Sequence, residues 1–111
     1  MEFELQPLRL QAGWRIEYNN FTEYDLEVHG EKYCFELNED LIMLTNDSAN
    51  LTIDLGWYPS FDLKGSYILY LVRDKDWDHP LEKVATRSKS EVIKHIEKWV
   101  CYDCFSKYLK R

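Results

Sequence analysis

The sequence predicts an α+β fold, in which an antiparallel β-sheet of about five to six strands in a meander-like order packs one face against a C-terminal α-helix. Two patterns and one bulk property predict it. Apolar and polar residues alternate through the first part of the chain, the period becomes helical after Ser88, and 45% of the 111 residues are hydrophobic. This apolar content is enough for one core. We therefore expect a single domain over 1–111, with the sheet at about 1–87 and the helix at about 89–109.

Alternation with a period of two residues predicts four strands in the first half of the chain, at 14–18, 23–28, 33–37 and 51–55. Apolar side chains take every second position, and carboxylates fill many of the positions between them. The pair His29 and Gly30 is typical of a turn between the second strand and the third. Each of these strands is expected to bury one face.

Two further strands are predicted in the second half. The segment from Ser66 to Arg73 is apolar on both faces, which is typical of a strand covered on both sides. We expect it to lie in the middle of the sheet. The segment from Leu81 to Thr86 follows a loop at 74–80 and has a weaker pattern, and we expect it to form the last strand.

The helix is predicted from its first turn. Ser88 and Glu91 have the spacing of a capping box, in which the serine oxygen accepts from the third amide and the glutamate reaches back to the cap amide. The apolar residues that follow recur at helical spacing: Val92, Ile93, Ile96, Trp99 and Val100. They predict a helix from about Lys89 to Tyr102, and later apolar residues extend the pattern toward Leu109.

Charge is distributed unevenly along the chain. Twenty acidic and 14 basic residues give a net charge of -6. The segment from Met1 to Asp62 holds 13 acidic and 3 basic residues, whereas the remainder is net positive. A negative chain repels phosphate backbones, so we expect no binding to nucleic acid. A basic protein is the complementary partner.

Membrane insertion and secretion are not indicated. No stretch approaches the roughly 18 to 20 consecutive apolar residues of a membrane helix, and Glu2 and Glu4 occupy positions where a signal peptide carries positive charge. Three cysteines are an odd number and too few for a disulfide scaffold. We expect a cytoplasmic protein with reduced thiols and no membrane partner.

The motifs of common enzyme classes are missing from the sequence. It contains no G-x-S-x-G elbow, no phosphate-binding glycine loop, no H-E-x-x-H and no strong metal-ligand spacing. We expect no catalysis, no cofactor and no metal. Cys101 and Cys104 form a C-x-x-C motif, which we interpret as two small apolar residues packed under the helix. The alternative is a metal site completed by His95 or Cys34.

The carboxylates of the predicted strands are the first candidate site. Five of them take the polar positions and would project from one face of a shared sheet: Glu23, Asp25, Glu27, Glu36 and Asp54. Like charges on neighbouring strands destabilise each other by up to about 1 kcal/mol. A cationic partner would relieve this repulsion and would associate quickly. The alternative is an acidic surface that only keeps the protein soluble.

An aromatic loop is the second candidate site. Trp57, Tyr58 and Phe61 lie close together in sequence, and Asp54 and Asp62 flank them. Such residues either close the end of the core or anchor an interface. The predicted partner-binding set therefore comprises Glu23, Asp25, Glu27, Glu36, Asp54, Trp57, Tyr58 and Asp62.

Four short segments resemble a known family. Gln11 to Phe21, Asp54 to Pro59, Asp76 to Leu81 and Arg87 to Ile93 are similar to segments of small bacterial immunity proteins, which are encoded beside contact-dependent growth inhibition and other polymorphic toxins. The resemblance implies a cytoplasmic antitoxin that binds the C-terminal domain of its cognate toxin, commonly a nuclease, as a monomer in a 1:1 complex. Binding residues vary between members of the family, so none is assigned by position.

Two other functions remain open at this stage. One is a small-ligand-binding or enzymatic α+β domain, with a pocket lined by Trp57, Tyr58 and Trp77 and with Asp54 or Asp78 as its polar group. The other is a structural subunit whose acidic half meets the basic half of a neighbouring copy. A convergent aromatic pocket would favour the first, and association that weakens as salt is added would favour the second.

Overall fold

The computed structural model describes residues 3–109, so the first two and the last two residues of the predicted domain lie outside the described range. Five antiparallel strands form one sheet in the order β1-β2-β3-β4-β5, which confirms the predicted α+β meander. The strands are β1 Arg15–Asn19, β2 Ile42–Asn46, β3 Leu51–Tyr58, β4 Ser66–Arg73 and β5 Glu82–Thr86.

The helices are short, and they fall into two groups along the chain. The first group is α1 Leu26–His29 and a 3₁₀ helix Glu31–Glu36, and the second is α2 Lys89–Trp99, α3 Tyr102–Phe105 and a 3₁₀ helix Ser106–Tyr108. The predicted C-terminal helix is therefore interrupted. Cys101 has extended dihedral angles, and the helical backbone resumes after it as α3.

The start of α2 is close to the prediction. The Ser88 side chain accepts a hydrogen bond from the Glu91 amide, which is the capping interaction expected from the spacing. The return half of the capping box differs, because the Ser88 amide donates to Thr86 Oγ1. Val92, Ile96 and the later apolar residues of α2 are buried against the sheet, as the helical period predicts.

The main core cluster lies on one face of the sheet, and on the other face Thr45, Thr52 and Val72 are also buried. Leu51, Ile53, Leu55 and Trp57 take alternate positions of β3 and belong to the buried cluster that includes the apolar side of α2. The intervening positions of β3 point to the opposite face, because successive side chains alternate along a strand. The sheet thus has a covered face and an open face.

Three predictions about the sheet are wrong. The segments 23–28 and 33–37 were expected to be strands and instead include α1 and the first 3₁₀ helix. Strand β2 has no counterpart in the prediction, since four of its five residues are buried and no alternation marks it. Strand β4 is not in the middle of the sheet, because β2 pairs between β1 and β3 and moves the centre to β3.

Local capping explains why the second predicted strand is lost. The Asp25 carboxylate accepts a hydrogen bond from the Glu27 amide at 3.0 Å, and His29 Nδ1 accepts from the Asp25 amide at 2.9 Å. Gly30 ends the turn at a φ of 79°, a conformation that favours glycine. A single helical turn closed at both ends therefore replaces the expected extended segment.

Candidate partner-binding surface

Residues 21–40 pack on the covered face of the sheet through Phe21, Tyr24 and Leu37, and the end of the segment at Glu39 reaches the open face at Gly56; we call this segment the acidic layer. Its buried residues Phe21, Tyr24 and Leu37 join the same core cluster as Trp57 and Tyr67. The layer contains seven acidic residues and one lysine, for a net charge of -6. This equals the net charge of the whole chain, so the rest of the sequence is balanced.

A buried lysine from the basic half of the chain holds the acidic layer. The Lys89 side chain at the start of α2 is part of a residue only 7% exposed. Its Nζ donates to the carbonyl oxygens of Thr22 and Tyr24, at 2.8 Å for Tyr24, and lies 4.2 Å from the centre of the Phe21 ring. The layer and α2 are therefore tied together through main-chain acceptors.

Burial and charge act on Lys89 in opposite directions. Desolvation lowers the pKa of its ammonium group to about 8, although nearby Asp25, Glu23 and Glu36 favour the charged form. Part of the negative charge of the layer is thus balanced inside the protein. The remaining carboxylates determine what a partner meets.

The four predicted carboxylates of this layer divide into two pairs. Glu23 and Glu27 are exposed to solvent. Asp25 and Glu36 are half-buried and support the local structure, because Asp25 caps α1 and Glu36 accepts a 2.7 Å hydrogen bond from the Thr22 hydroxyl. Of these four carboxylates, Glu23 and Glu27 are therefore the ones exposed at the surface.

Two exposed apolar residues lie in the acidic layer. Val28 in α1 is 72% exposed and Phe35 in the 3₁₀ helix is 57% exposed. Phe35 is the outer end of a chain of edge-to-face aromatic contacts, with ring centres 6.1 Å apart to Tyr33 and 5.1 Å onward to Phe3. The sequence did not predict the exposure of either residue, because an alternating strand would have placed both on its buried side.

Asp54 does not lie with the other four carboxylates. It projects from the open face of β3, where Tyr18 donates a 3.4 Å hydrogen bond to it. The prediction that all five share one sheet face is wrong, because 23–36 leave the sheet and pack against its covered face. Asp54 therefore lies on a different surface from the other four predicted carboxylates.

Trp57 is a core residue, which corrects its assignment to the partner-binding set. It is 1% exposed, its ring packs edge-to-face on Tyr67 at 5.0 Å, and the Arg87 guanidinium lies 5.5 Å from its ring centre. Its indole Nε1 donates to the carbonyl of Asp62 at 2.8 Å. Trp57 therefore closes the end of the core, and no partner can reach it in this conformation.

The other two residues of the aromatic loop remain at the surface. Tyr58 is half-buried on the open face, beside Asp54. Asp62 is exposed in the turn between β3 and β4, where its carboxylate accepts from the Lys64 amide at 2.8 Å. The same turn meets the acidic layer, because the Phe61 amide donates to the Leu37 carbonyl.

The proposed aromatic pocket is not formed. Trp57 and Tyr58 point to opposite faces of the sheet, since they are neighbours on one strand. Trp57 lies opposite Tyr67 near the start of β4. The end of β4 at Arg73 is six residues further on, roughly 20 Å away at about 3.3 Å per residue, and Trp77 lies in the turn that follows it. These three rings cannot converge on one ligand.

Among residues 3–109, the cysteines are free thiols, and the structure shows neither a metal-binding cluster nor a helix that could cross a membrane. Cys34, Cys101 and Cys104 are free thiols and are half-buried, and the Cys101 thiol donates to the Glu97 carbonyl. Within residues 3–109, no group of three or more His, Cys, Asp and Glu side chains is arranged to hold a metal ion. None of the helices in this range is long and apolar enough to cross a membrane.

The fold and its surfaces define a small α+β domain with its main core cluster on one face of the sheet, an acidic layer and an open sheet face. No family model, curated protein or solved structure matches this chain. The surfaces themselves are therefore the basis for assigning a function.

Proposed function

We propose that this protein is an immunity protein, an antitoxin that binds and neutralises the toxin domain of a cognate bacterial toxin in the cytoplasm. The proposal names a basic nuclease as the toxin and stoichiometric occlusion as the mechanism. One observation carries it: the acidic layer holds a net charge equal to that of the whole chain and exposes Val28 and Phe35 among its carboxylates.

The charge of the layer supports this choice of partner. Enzymes that cleave phosphodiesters present lysine and arginine to a polyanion, so their clefts are positive. A layer of net charge -6 attracts such a cleft over several ångströms and raises the association rate. The same layer repels nucleic acid and therefore does not compete for the toxin's substrate.

The exposed apolar side chains support a stable complex. Charge complementarity mainly sets association rate and partner choice, while buried anchors supply most of the affinity. Phe35 is already positioned by its ring contact with Tyr33, so little conformational entropy is lost when a partner covers it. In this arrangement Glu23 and Glu27 pair with toxin cations and Phe35 fills an apolar depression.

The direct experiment is to purify this protein with the product of the gene immediately upstream. We expect a 1:1 complex by light scattering and protection of cells that express the toxin domain. A double variant, Phe35→Ala with Val28→Ser, is expected to weaken the complex, whereas Tyr102→Ala, an exposed aromatic on α3, serves as the matched control. Absence of both a complex and protection would exclude the proposal.

A further inference from the structure

The open face of the sheet carries a second cluster of functional groups. Strand pairing places one residue from each strand in a single row across it: Tyr18, Met43, Asp54, Tyr70 and Lys83. Tyr58 and Ile68 lie on the same face. Because the core cluster and α2 occupy the other face, the row remains uncovered by any helix among residues 3–109.

Asp54 is the only acidic side chain in this row, and it lies at its centre. It is half-buried, and the hydrogen bond that it accepts from the Tyr18 hydroxyl is long at 3.4 Å. Burial raises the pKa of its carboxyl group to about 6, and the negative charge of Asp40 adds to the increase. The carboxylate is thus partly desolvated, and no lysine or arginine among residues 3–109 forms an ion pair with it.

Lys83, the cation in the same row, does not neutralise the Asp54 carboxylate. Lys83 lies two strands away, a backbone separation of roughly 10 Å at about 4.8 Å per strand. Its ammonium group is 5.7 Å from the centre of the Tyr70 ring, on the outer side of the row. A carboxylate held between Tyr18 and Tyr70 is therefore open to a cation from outside the chain.

Further negative groups lie at the margin of the row. The loop that carries Glu39 and Asp40 crosses the open face at Gly56, where a Cβ atom would overlap the Glu39 carbonyl oxygen. The charge of Asp40 reaches both Asp54 and Tyr18, and the charge of Glu39 reaches Tyr58. The rings and carboxylates together give this part of the open face an aromatic and negative character.

We propose that the open face binds an arginine side chain of a partner protein, with the guanidinium group on the Asp54 carboxylate and the rings of Tyr18, Tyr58 and Tyr70 around it. The chemistry favours arginine over lysine. A guanidinium group is planar, stacks on aromatic rings, is weakly hydrated and forms two parallel hydrogen bonds with one carboxylate. A lysine ammonium offers one compact charge and no stacking plane.

The loss of folding stability that Asp54 causes at neutral pH supports a binding role. A partly buried acid with a raised pKa makes the folded protein less stable at neutral pH than an uncharged residue of the same size would. Proteins keep such residues where a ligand repays the cost. This inference goes beyond the proposed function, and it depends on that function only for the identity of the partner.

The test uses arginine amide as the probe and NMR as the measurement, at a pH well above 6 so that Asp54 is ionised. We expect saturable shift changes at the Asp54 carboxyl carbon and at the rings of Tyr18, Tyr58 and Tyr70. Citrulline amide has nearly the same shape and the same α-amino group but a neutral ureido group in place of the guanidinium, and it is expected to cause none. The substitution Asp54→Asn should weaken arginine amide binding by at least about tenfold.

Asp103→Asn is the matched control, since Asp103 is an exposed acid on α3. It should bind the probe like the unmodified protein. The inference is wrong if arginine amide gives no saturable shifts on the open face, or if Asp54→Asn binds it equally well. Neither outcome involves a toxin, so failure here and failure of the antitoxin proposal are separate results.

Discussion

The acidic layer and the open sheet face place carboxylates beside aromatic rings in opposite ways. The layer contains many acidic residues, and several of them are exposed. The buried Lys89 ammonium group offsets part of their negative charge. On the open face a single acid is half-buried among tyrosines. Exposed charges act at a distance and are screened by salt, whereas a desolvated charge acts only on contact. The layer is therefore suited to attraction and the open face to selection.

The largest expected effect on stability comes from a substitution at Gly56, where the acidic layer contacts the open face. The substitution Gly56→Ala places a methyl group into the Glu39 carbonyl and 2.8 Å from the Tyr58 ring, so the loop that joins the layer to the open face must move. We expect a loss of about 3 kcal/mol in the free energy of unfolding, measured in urea. Ser66→Ala, opposite Tyr58 on β4, is the control and should change stability by less than about 0.5 kcal/mol.

Charge reversal in the acidic layer tests its role in attraction. The double variant Glu23→Lys and Glu27→Lys changes two exposed residues and should slow association with a basic toxin domain by about 10- to 100-fold at low salt. Stopped-flow kinetics at several salt concentrations measures this. The control Asp78→Lys with Asp103→Lys makes the same change in net charge at two exposed positions outside the layer. If both variants slowed association equally, net charge and not the layer would be responsible.

On the open face, replacing the Asp54 carboxylate with an amide is expected to increase the stability of the folded protein. Asp54 has a folded pKa raised to about 6 from 3.8, so the stability that it contributes is present at low pH and is lost as pH rises through 6. Asp54→Asn should raise the free energy of unfolding at pH 7 by about 1 to 2 kcal/mol, after allowance for solvent screening. It should also flatten the dependence of stability on pH between about 4 and 6. A decrease in stability at pH 7 would show that the carboxylate is structurally required.

The parts of the fold that the sequence predicts well are those set by local pattern. Strand β3 follows from its alternation, β4 from its continuous apolar segment, β5 from a weaker pattern, and helix α2 from its helical period and the Ser88 cap. Strand β2 was missed because Leu41 to Leu44 form only a short apolar run without alternation. Residues 23–36 were misassigned because their alternation matches a strand, whereas the local cap at Asp25 and the distant Lys89 hold them in another conformation.

The candidate site shows the same division. Asp54 was identified because it takes a polar position in an alternating strand, and Tyr58 because it lies among the aromatic residues that follow this strand. Trp57 was assigned to the surface because aromatic content does not distinguish a core residue from an anchor, and only its position opposite Tyr67 decides. The exposure of Phe35 follows from a 3₁₀ helix that the alternating pattern concealed. Sequence therefore identified candidate residues but not the surfaces on which they lie.

The smallest predicted effect concerns the junction between the acidic layer and α2. Lys89 has a folded pKa lowered to about 8 from 10.5, so the folded state releases this proton before the unfolded state does. The unfolded state then binds more protons between these values, and the free energy of unfolding should rise with pH, by about 1 kcal/mol from pH 8 to 9. Lys89→Met should remove this rise whether or not it changes stability at pH 7. An unchanged slope in the variant would mean that the ammonium group is solvated and that the acidic layer is held by packing alone.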